Sequence, residues 1–338
     1  MKRLFTLFSP NLRTKPDERR RAFFSFPAAI MLALGFNLGF SLEATAQTEA
    51  KEFRVGWQKG SNLALLKARG NLDARLDAAG VKVRWIEFTA GPQMLEGLNV
   101  GSIDFACVGE TPPIFAQAAG TELVYIAHEP PSPDAEKVLV QKDSPIRSFA
   151  ELKGKRVALN RGSNVHYLLL KLLEQETLKY SDVQVVYLPP ADARAAFENG
   201  SVDAWVIWDP FAEAAIGQIG ARVLVGAKGL AENYNFYLST ATFAKKHPEV
   251  LKWALEEIKK SGELTAANLD EAAKLLAPQI RLSVEITRSA LKHYGFGLKD
   301  GFPISEKVIA NQQAIADAFY AQKLIPKKLD VRSAIWKP

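Results

Sequence analysis

Several short segments of this 338-residue chain gather residue types that can bind a small polar ligand. Trp57-Gln58-Lys59-Gly60-Ser61-Asn62, Glu110-Thr111-Pro112-Pro113 and Gly162-Ser163-Asn164 each stand where a short apolar run gives way to an amphipathic one. That position is the N-terminus of a helix just past a strand, where unpaired N–H groups and the helix dipole attract anions. Side chains such as Gln58, Ser61, Thr111, Ser163 and Asn164 add neutral donors, which suit an acidic anion that is never protonated. The same residues serve equally as plain helix caps, with Lys59 in water.

Trp208-Asp209-Pro210-Phe211 forms an aromatic edge with one acid. Trp208 at a strand end reads as a wall of a ligand cleft and Trp205 as core. Asp209 either caps the next helix or holds a ligand cation, and Glu110 and Asp192 raise the same question. His166 lies one turn past Ser163, within reach of the same ligand.

Covalent chemistry has little support. His128, His166, His247 and His293 show no metal or elbow spacing, and no phosphate-binding glycine motif occurs. Cys107, the sole cysteine, excludes an internal disulfide and a CxxC zinc site. It reads as a small buried hydrophobe, with a thiolate nucleophile as the alternative.

Elements that would position these residues alternate in βαβ fashion. Strands are predicted over 53–56, 81–88, 103–108 and 123–127, with helices over 61–69, 91–100 and from Pro112 to 119 behind Thr111 as N-cap. A proline-rich break, Glu129-Pro130-Pro131-Ser132-Pro133-Asp134, precedes a strand over 137–140. A second unit follows: a short helix over 148–152, strands over 156–159, 184–187, 204–207 and 222–225, and helices over 165–178 and 193–199. After a strand-like stretch at 233–239, the helices over 248–268, 269–276, 284–293 and 306–322 have no sheet of their own. They are expected to fold back on the first unit, with 137–142 and 233–239 crossing between two α/β lobes that hinge around a cleft.

The amino end reads as an address. Seven basic residues precede a weakly apolar run over 28–40 and the small residues Ala44-Thr45-Ala46, the pattern of an export signal cut near Ala46. Arg20-Arg21 leaves the twin-arginine and general routes both open. The whole chain carries +6, and removal of 1–46 leaves 36 basic against 34 acidic residues, or +2. A balanced chain without a Lys/Arg stripe has no nucleic-acid footprint. No later apolar run reaches the length of a membrane span.

GPQMLEGLNVGSIDF at 91–105, GETPPIFAQAAG at 109–120, LPPADARAAFENGSVDAW at 188–205 and VIWDPF at 206–211 closely resemble the substrate-binding proteins of aliphatic sulfonate ABC importers. WQKGSN at 57–62 and GSNVHYLL at 162–169 are similar to that family's binding loops, and the resemblance spans 53–336. It implies a type II periplasmic binding protein of fold class α/β, with 1–46 as signal peptide, 47–139 and 238–338 as lobe 1, and 140–237 as lobe 2. It implies a periplasmic monomer that catalyses nothing, needs no cofactor, binds an organosulfonate and delivers it to a permease with its ATPase. Carried over by position, Gln58, Ser61, Glu110, Thr111, Gly162, Ser163, Asn164, His166, Asp192, Trp208 and Asp209 line the cleft. Gln58, Ser61, Thr111 and the 162–164 amides would hold the sulfonate oxygens, and Trp208, with Tyr234 or Phe236, would face the tail. The chain departs from the family at Glu110, where aspartate is common, and at Cys107, where the position is usually small. A taurine- or nitrate-binding protein of the same superfamily is the alternative, taurine being favoured where a carboxylate pairs with a ligand ammonium, and a desulfinase-like use of Cys107 is the enzymatic alternative.

Overall fold

The structure is a computed structural model and describes residues 50–298 and 301–337. The export signal read over 1–46 lies outside the described residues. Along the chain run β1 (Glu52–Trp57), α1 (Asn62–Arg69), α2 (Asn71–Asp77), β2 (Lys82–Glu87), α3 (Gly91–Asn99), β3 (Phe105–Gly109), α4 (Thr111–Ala118) and β4 (Leu123–His128). Then come β5 (Glu136–Val140), β6 (Arg156–Leu159), α5 (Asn164–Gln175), β7 (Gln184–Tyr187), α6 (Pro190–Glu198), β8 (Ala204–Trp208), α7 (Phe211–Ile219) and β9 (Arg222–Gly226). The chain continues through β10 (Asn235–Thr240), α8 (Ala241–Lys246), α9 (Pro248–Ala267), α10 (Leu269–Ile280), α11 (Val284–Leu291) and α12 (Glu306–Ala321).

The strands form two five-stranded sheets, ordered β2-β1-β3-β10-β4 and β7-β6-β8-β5-β9. Three strands of each are parallel, as βαβ connections require. In each sheet one strand runs against its neighbours from an interior position: β10 between β3 and β4, and β5 between β8 and β9. The predicted crossings at 137–142 and 233–239 are therefore corrected. Those stretches are mostly β5 and β10, and the chain passes between sheets at 129–135 and 227–234. An extended passage left alone would strand its N–H and C=O groups, whereas an interior slot in a sheet pairs them on both sides.

Period-two alternation buries both faces of the central strands. In β3, Phe105 and Cys107 face a core shared with Phe53, Leu66, Leu251 and Leu276, while Ala106 and Val108 face Met94, Leu98 and Ile114. In β8, Trp205 and Ile207 pack with Phe197 and Ala212, while Ala204 and Val206 pack with Leu168 and Leu172 of α5. The late helices α9 and α10 lie on α1 over the first sheet, as expected, but α11 also packs on α7. There Ser289 Oγ donates to Glu213 Oε2 at 2.6 Å, and a Cβ added to Gly217 would stand 3.2 Å from Ile286.

Most predicted elements stand within two residues of their observed bounds. The helix read to 178 ends at Gln175, α2 and α8 were not foreseen, and α7, the helix that Asp209 was read as capping, had been given no bounds. These are short helices of six to nine residues, too brief for a clear apolar period. α4 also starts one residue early: Thr111 is its first residue, Glu110 takes the cap position, and Pro112 is second.

Candidate functional site

A pocket opens where strand ends and helix starts from both sheets meet. Gln58 and Gly60 reach it from the turn after β1, Gly109 and Pro112 from the β3–α4 turn, Ser163 and Asn164 from the start of α5, and Trp208 from the end of β8. Glu136 opens β5, Asn233 and Asn235 lie at the start of β10, and Tyr294 follows α11. The lining holds amides, hydroxyls, one indole and one carboxyl, and no lysine or arginine.

Antiparallel insertion explains this lining. Ligands in open α/β sheets gather at the carboxyl ends of parallel strands. Because β5 and β10 run the other way, their amino ends lie at that same edge: Glu136 pairs with Trp208, and Asn235 with Gly109. Glu136, Asn233, Asn235 and Tyr294 were missed in the sequence, where the first three look like ordinary residues at strand starts.

The expected residues meet different fates. Gln58, Ser163, Asn164 and Trp208 line the pocket together. Gln58 Nε2 lies 3.5 Å from the Cys107 carbonyl oxygen. Asn164 ties two loops: its Oδ1 accepts the Thr111 N–H at 3.3 Å, and its Nδ2 donates to Asn233 Oδ1 at 2.5 Å. Trp208 stacks edge-on against Phe211.

Ser61 and Ser163 occupy cap positions without capping. Each hydroxyl instead donates back to a loop carbonyl, Ser61 to Gln58 at 3.1 Å and Ser163 to Asn160 at 2.6 Å. Ser61 and Lys59 line a neighbouring, largely apolar cavity beside Leu65, Leu276 and Phe296. The α4 terminus is poor in donors: Thr111 gives its N–H to Asn164, and Pro112 and Pro113 have none. Thr111 itself is fully buried, and its Oγ1 has no partner.

His166 is turned away from the pocket. Its ring sits among Phe115, Tyr187 and Phe319, with Nε2 2.8 Å from Tyr180 Oη and Nδ1 accepting the Gly162 N–H at 3.2 Å. Burial, aided by the nearby Arg161 charge, lowers its pKa to about 3, so the ring is neutral. It holds Gly162, whose φ of +71° is a left-handed conformation that favours glycine. Asp192 stands exposed in the first turn of α6, outside the pocket. Tyr234 and Phe236 are buried against His128 and against each other and do not line it either.

Asp209 already has its cation. Its fully buried Oδ2 lies 3.0 Å from Lys137 Nζ and 2.6 Å from His293 Nδ1, while Oδ1 accepts the Glu213 N–H at 3.1 Å. Asp209, Glu213 and His293 could converge on a metal ion, but the Lys137 ammonium stands there, 3.6 Å from Glu213. Cys107 is fully buried and its thiol is pushed well up by burial, with the Glu129 charge adding to the effect. That is an inert environment for a nucleophile.

Three further carboxyls crowd the region. Burial raises Glu110 to about 7 although Oε2 accepts the Tyr234 N–H at 3.0 Å. Burial likewise raises Glu129 to about 7, with Tyr237 Oη donating to it at 2.6 Å. Glu136 is pushed well above the usual carboxylate range by burial and then by the Glu110 charge.

Comparison with known proteins agrees with this architecture. The NMT1/THI5-like family matches residues 76–272. The chain is 45% identical over 312 residues to an Escherichia coli (strain K12) relative named for aliphatic-sulfonate binding, covering 91% of this chain and 96% of that one. The alkanesulfonate-binding protein SsuA from Xanthomonas axonopodis pv. citri bound to MOPS superposes with a TM-score of 0.81 at 40% identity, covering 86% and 99% of the two chains. For the periplasmic aliphatic sulphonate binding protein SsuA from Escherichia coli the values are 0.76 and 45%, covering 86% and 93%. The chain belongs to the NMT1/THI5-like family, and its relatives include aliphatic sulphonate binding proteins.

Proposed function

We propose that this chain is the extracytoplasmic substrate-binding component of an ABC importer for aliphatic sulfonates. The observation that carries the reading is a pocket lined by neutral donors from both sheets, on a chain 40% identical to a protein solved with MOPS, a buffer that bears an alkanesulfonate group. A sulfonate is ionised at every physiological pH and only accepts hydrogen bonds. The Gln58 and Asn235 amides and the first N–H groups of α5 match it without a titrating base, whereas the Gly162 and Ser163 N–H groups are spent on His166 Nδ1 and the Asn160 carbonyl. Asn235 Nδ2 is buried without a partner, and Trp208 supplies a flat apolar wall for the tail.

In this reading residues 1–46 direct export to the periplasm, where the mature protein acts as a monomer. One lobe carries the first sheet and the other the second, with the chain crossing at 129–135 and 227–234 in place of the expected bounds near 139 and 237, and the two close over the ligand. Closure is selected by ligand because only the closed form offers contacts from both sides. The closed complex then docks on a permease and its ATPase, and nucleic acid plays no part.

Titration of tryptophan fluorescence with methanesulfonate, longer alkanesulfonates, taurine, nitrate and sulfate tests this. A saturable response to alkanesulfonates that Trp208→Phe abolishes is expected. Silence toward every sulfonate, checked by calorimetry, would defeat the reading.

A further inference from the structure

Most carboxyl groups around the pocket have partners: Asp209 has Lys137 and His293, Glu110 has the Tyr234 N–H, and Glu129 has the Tyr237 hydroxyl. Glu136 differs. It is fully buried, it lines the pocket, and neither carboxyl oxygen has a hydrogen-bond partner. The Asn164 amide lies near enough to favour its ionised form, yet not in bonding geometry. A side chain of this polarity is seldom buried unsatisfied unless something else completes it.

We propose that Glu136 is a specificity-determining ligand contact: as a neutral carboxylic acid it donates its O–H to a sulfonate oxygen, so that the ligand and a proton are held together. The inference rests on the sulfonate reading above. With no lysine or arginine in the lining, an ionised Glu136 would face the anion unscreened, at low local dielectric. The protonated acid turns that repulsion into a strong O–H···O⁻ bond.

The groups facing Glu136 do not undo this. Glu110, ahead of α4, disfavours its ionisation; Lys137, next along β5, spends its ammonium on Asp209 and the Asp134 carbonyl; and Tyr294, after α11, brings a phenol. Trp208 on β8, Gly226 on β9 and Asn164 on α5 carry no charge. The lone acid also sets the selection. A plain alkanesulfonate leaves the proton in place, whereas a ligand whose ammonium reached Glu136 would strip it.

The test is calorimetry of the mature protein with ethanesulfonate, across pH and in two buffers of unlike ionisation enthalpy. Affinity is expected to fall as pH rises through the Glu136 pKa, by at most about tenfold per pH unit, with proton uptake on binding in that range. Glu136→Gln, which keeps a donor, should bind within about threefold of wild type at acid pH and lose this pH dependence. Glu136→Ala should bind about tenfold or more weakly. Overturning results are affinity that rises with pH, Glu136→Ala equal to wild type, or taurine binding tighter than ethanesulfonate with proton release. The wild-type proton count stands even if a variant misfolds. No binding of any sulfonate at any pH would overturn the sulfonate reading itself, and this inference with it.

Discussion

Asn164 fills the space that a side chain on Gly109 would need: a Cβ there would stand 1.9 Å from Asn164 Nδ2. Gly109 ends a strand of the first sheet and Asn164 begins the helix after a strand of the second, so the contact stitches the two halves of the pocket. Gly60 plays a similar part, since its Cβ would lie 2.5 Å from the Asp209 carbonyl oxygen.

Gly109→Ala should therefore expel the Asn164 side chain and break its bonds to Thr111 and Asn233. We expect ethanesulfonate affinity to fall by about tenfold or more, the worth of one or two such bonds, with a smaller loss of thermal stability. Calorimetry and a thermal melt of the same preparation check both. Unchanged affinity would mean that Asn164 does not shape the bound pocket.

Thr111 carries a buried hydroxyl without a partner next to pocket-lining Pro112. Thr111→Val removes the unsatisfied group at nearly constant shape, and the free protein should gain about 1 kcal/mol in urea unfolding. Ligand affinity should fall by about tenfold if that hydroxyl is completed by the ligand. Gain of stability without loss of affinity would release Thr111 from the binding role that the family resemblance implies.

Lys137 neutralises Asp209, whose side chain is fully buried. Lys137→Met leaves that carboxylate with His293 and should cost about 3 kcal/mol or more of stability, read by urea denaturation. Replacing both, as Lys137→Met with Asp209→Leu, should lose less than the single change, because no buried charge is left alone. A loss in the double variant as large as in the single one would show that the pair matters for more than charge balance.

His166 gives stability a pH dependence. Its folded pKa of about 3 lies below the ordinary value of 6.5, so the neutral ring's contribution is fully present above about pH 6.5 and is lost as pH falls toward 3. The slope reaches about 1.4 kcal/mol per pH unit at most. Glu110 and Glu129, raised to about 7 from 4.5, act oppositely: their contribution weakens as pH rises from about 4.5 to 7. Subtracting the stability curve of His166→Gln from that of wild type isolates the histidine. A flat difference between pH 7 and about pH 4.5 would refute the neutral buried ring.

Strands, the longer helices and the family were legible in the sequence because each rests on short-range pattern. Short apolar runs marked β3 and β8 as strands before any sheet existed, and 3.6-residue periodicity marked α5, α9 and α12. Part of the site followed, since Gln58, Ser163, Asn164 and Trp208 sit at the parallel-strand ends where the general rule looks for ligands. The rest depended on direction and distance that local pattern does not encode. Only the antiparallel insertion of β5 and β10, between strands that are remote in the chain, carried Glu136 and Asn235 to that edge. Pairing across long separations likewise decided the charges. Asp209 met Lys137, 72 residues away, and ceased to be a free acid, while His166 turned its nitrogens to Gly162 and Tyr180 and left the pocket. Short-range pattern was enough for most elements and for the family; tertiary packing settled which polar groups were spent on one another and which were left for a ligand.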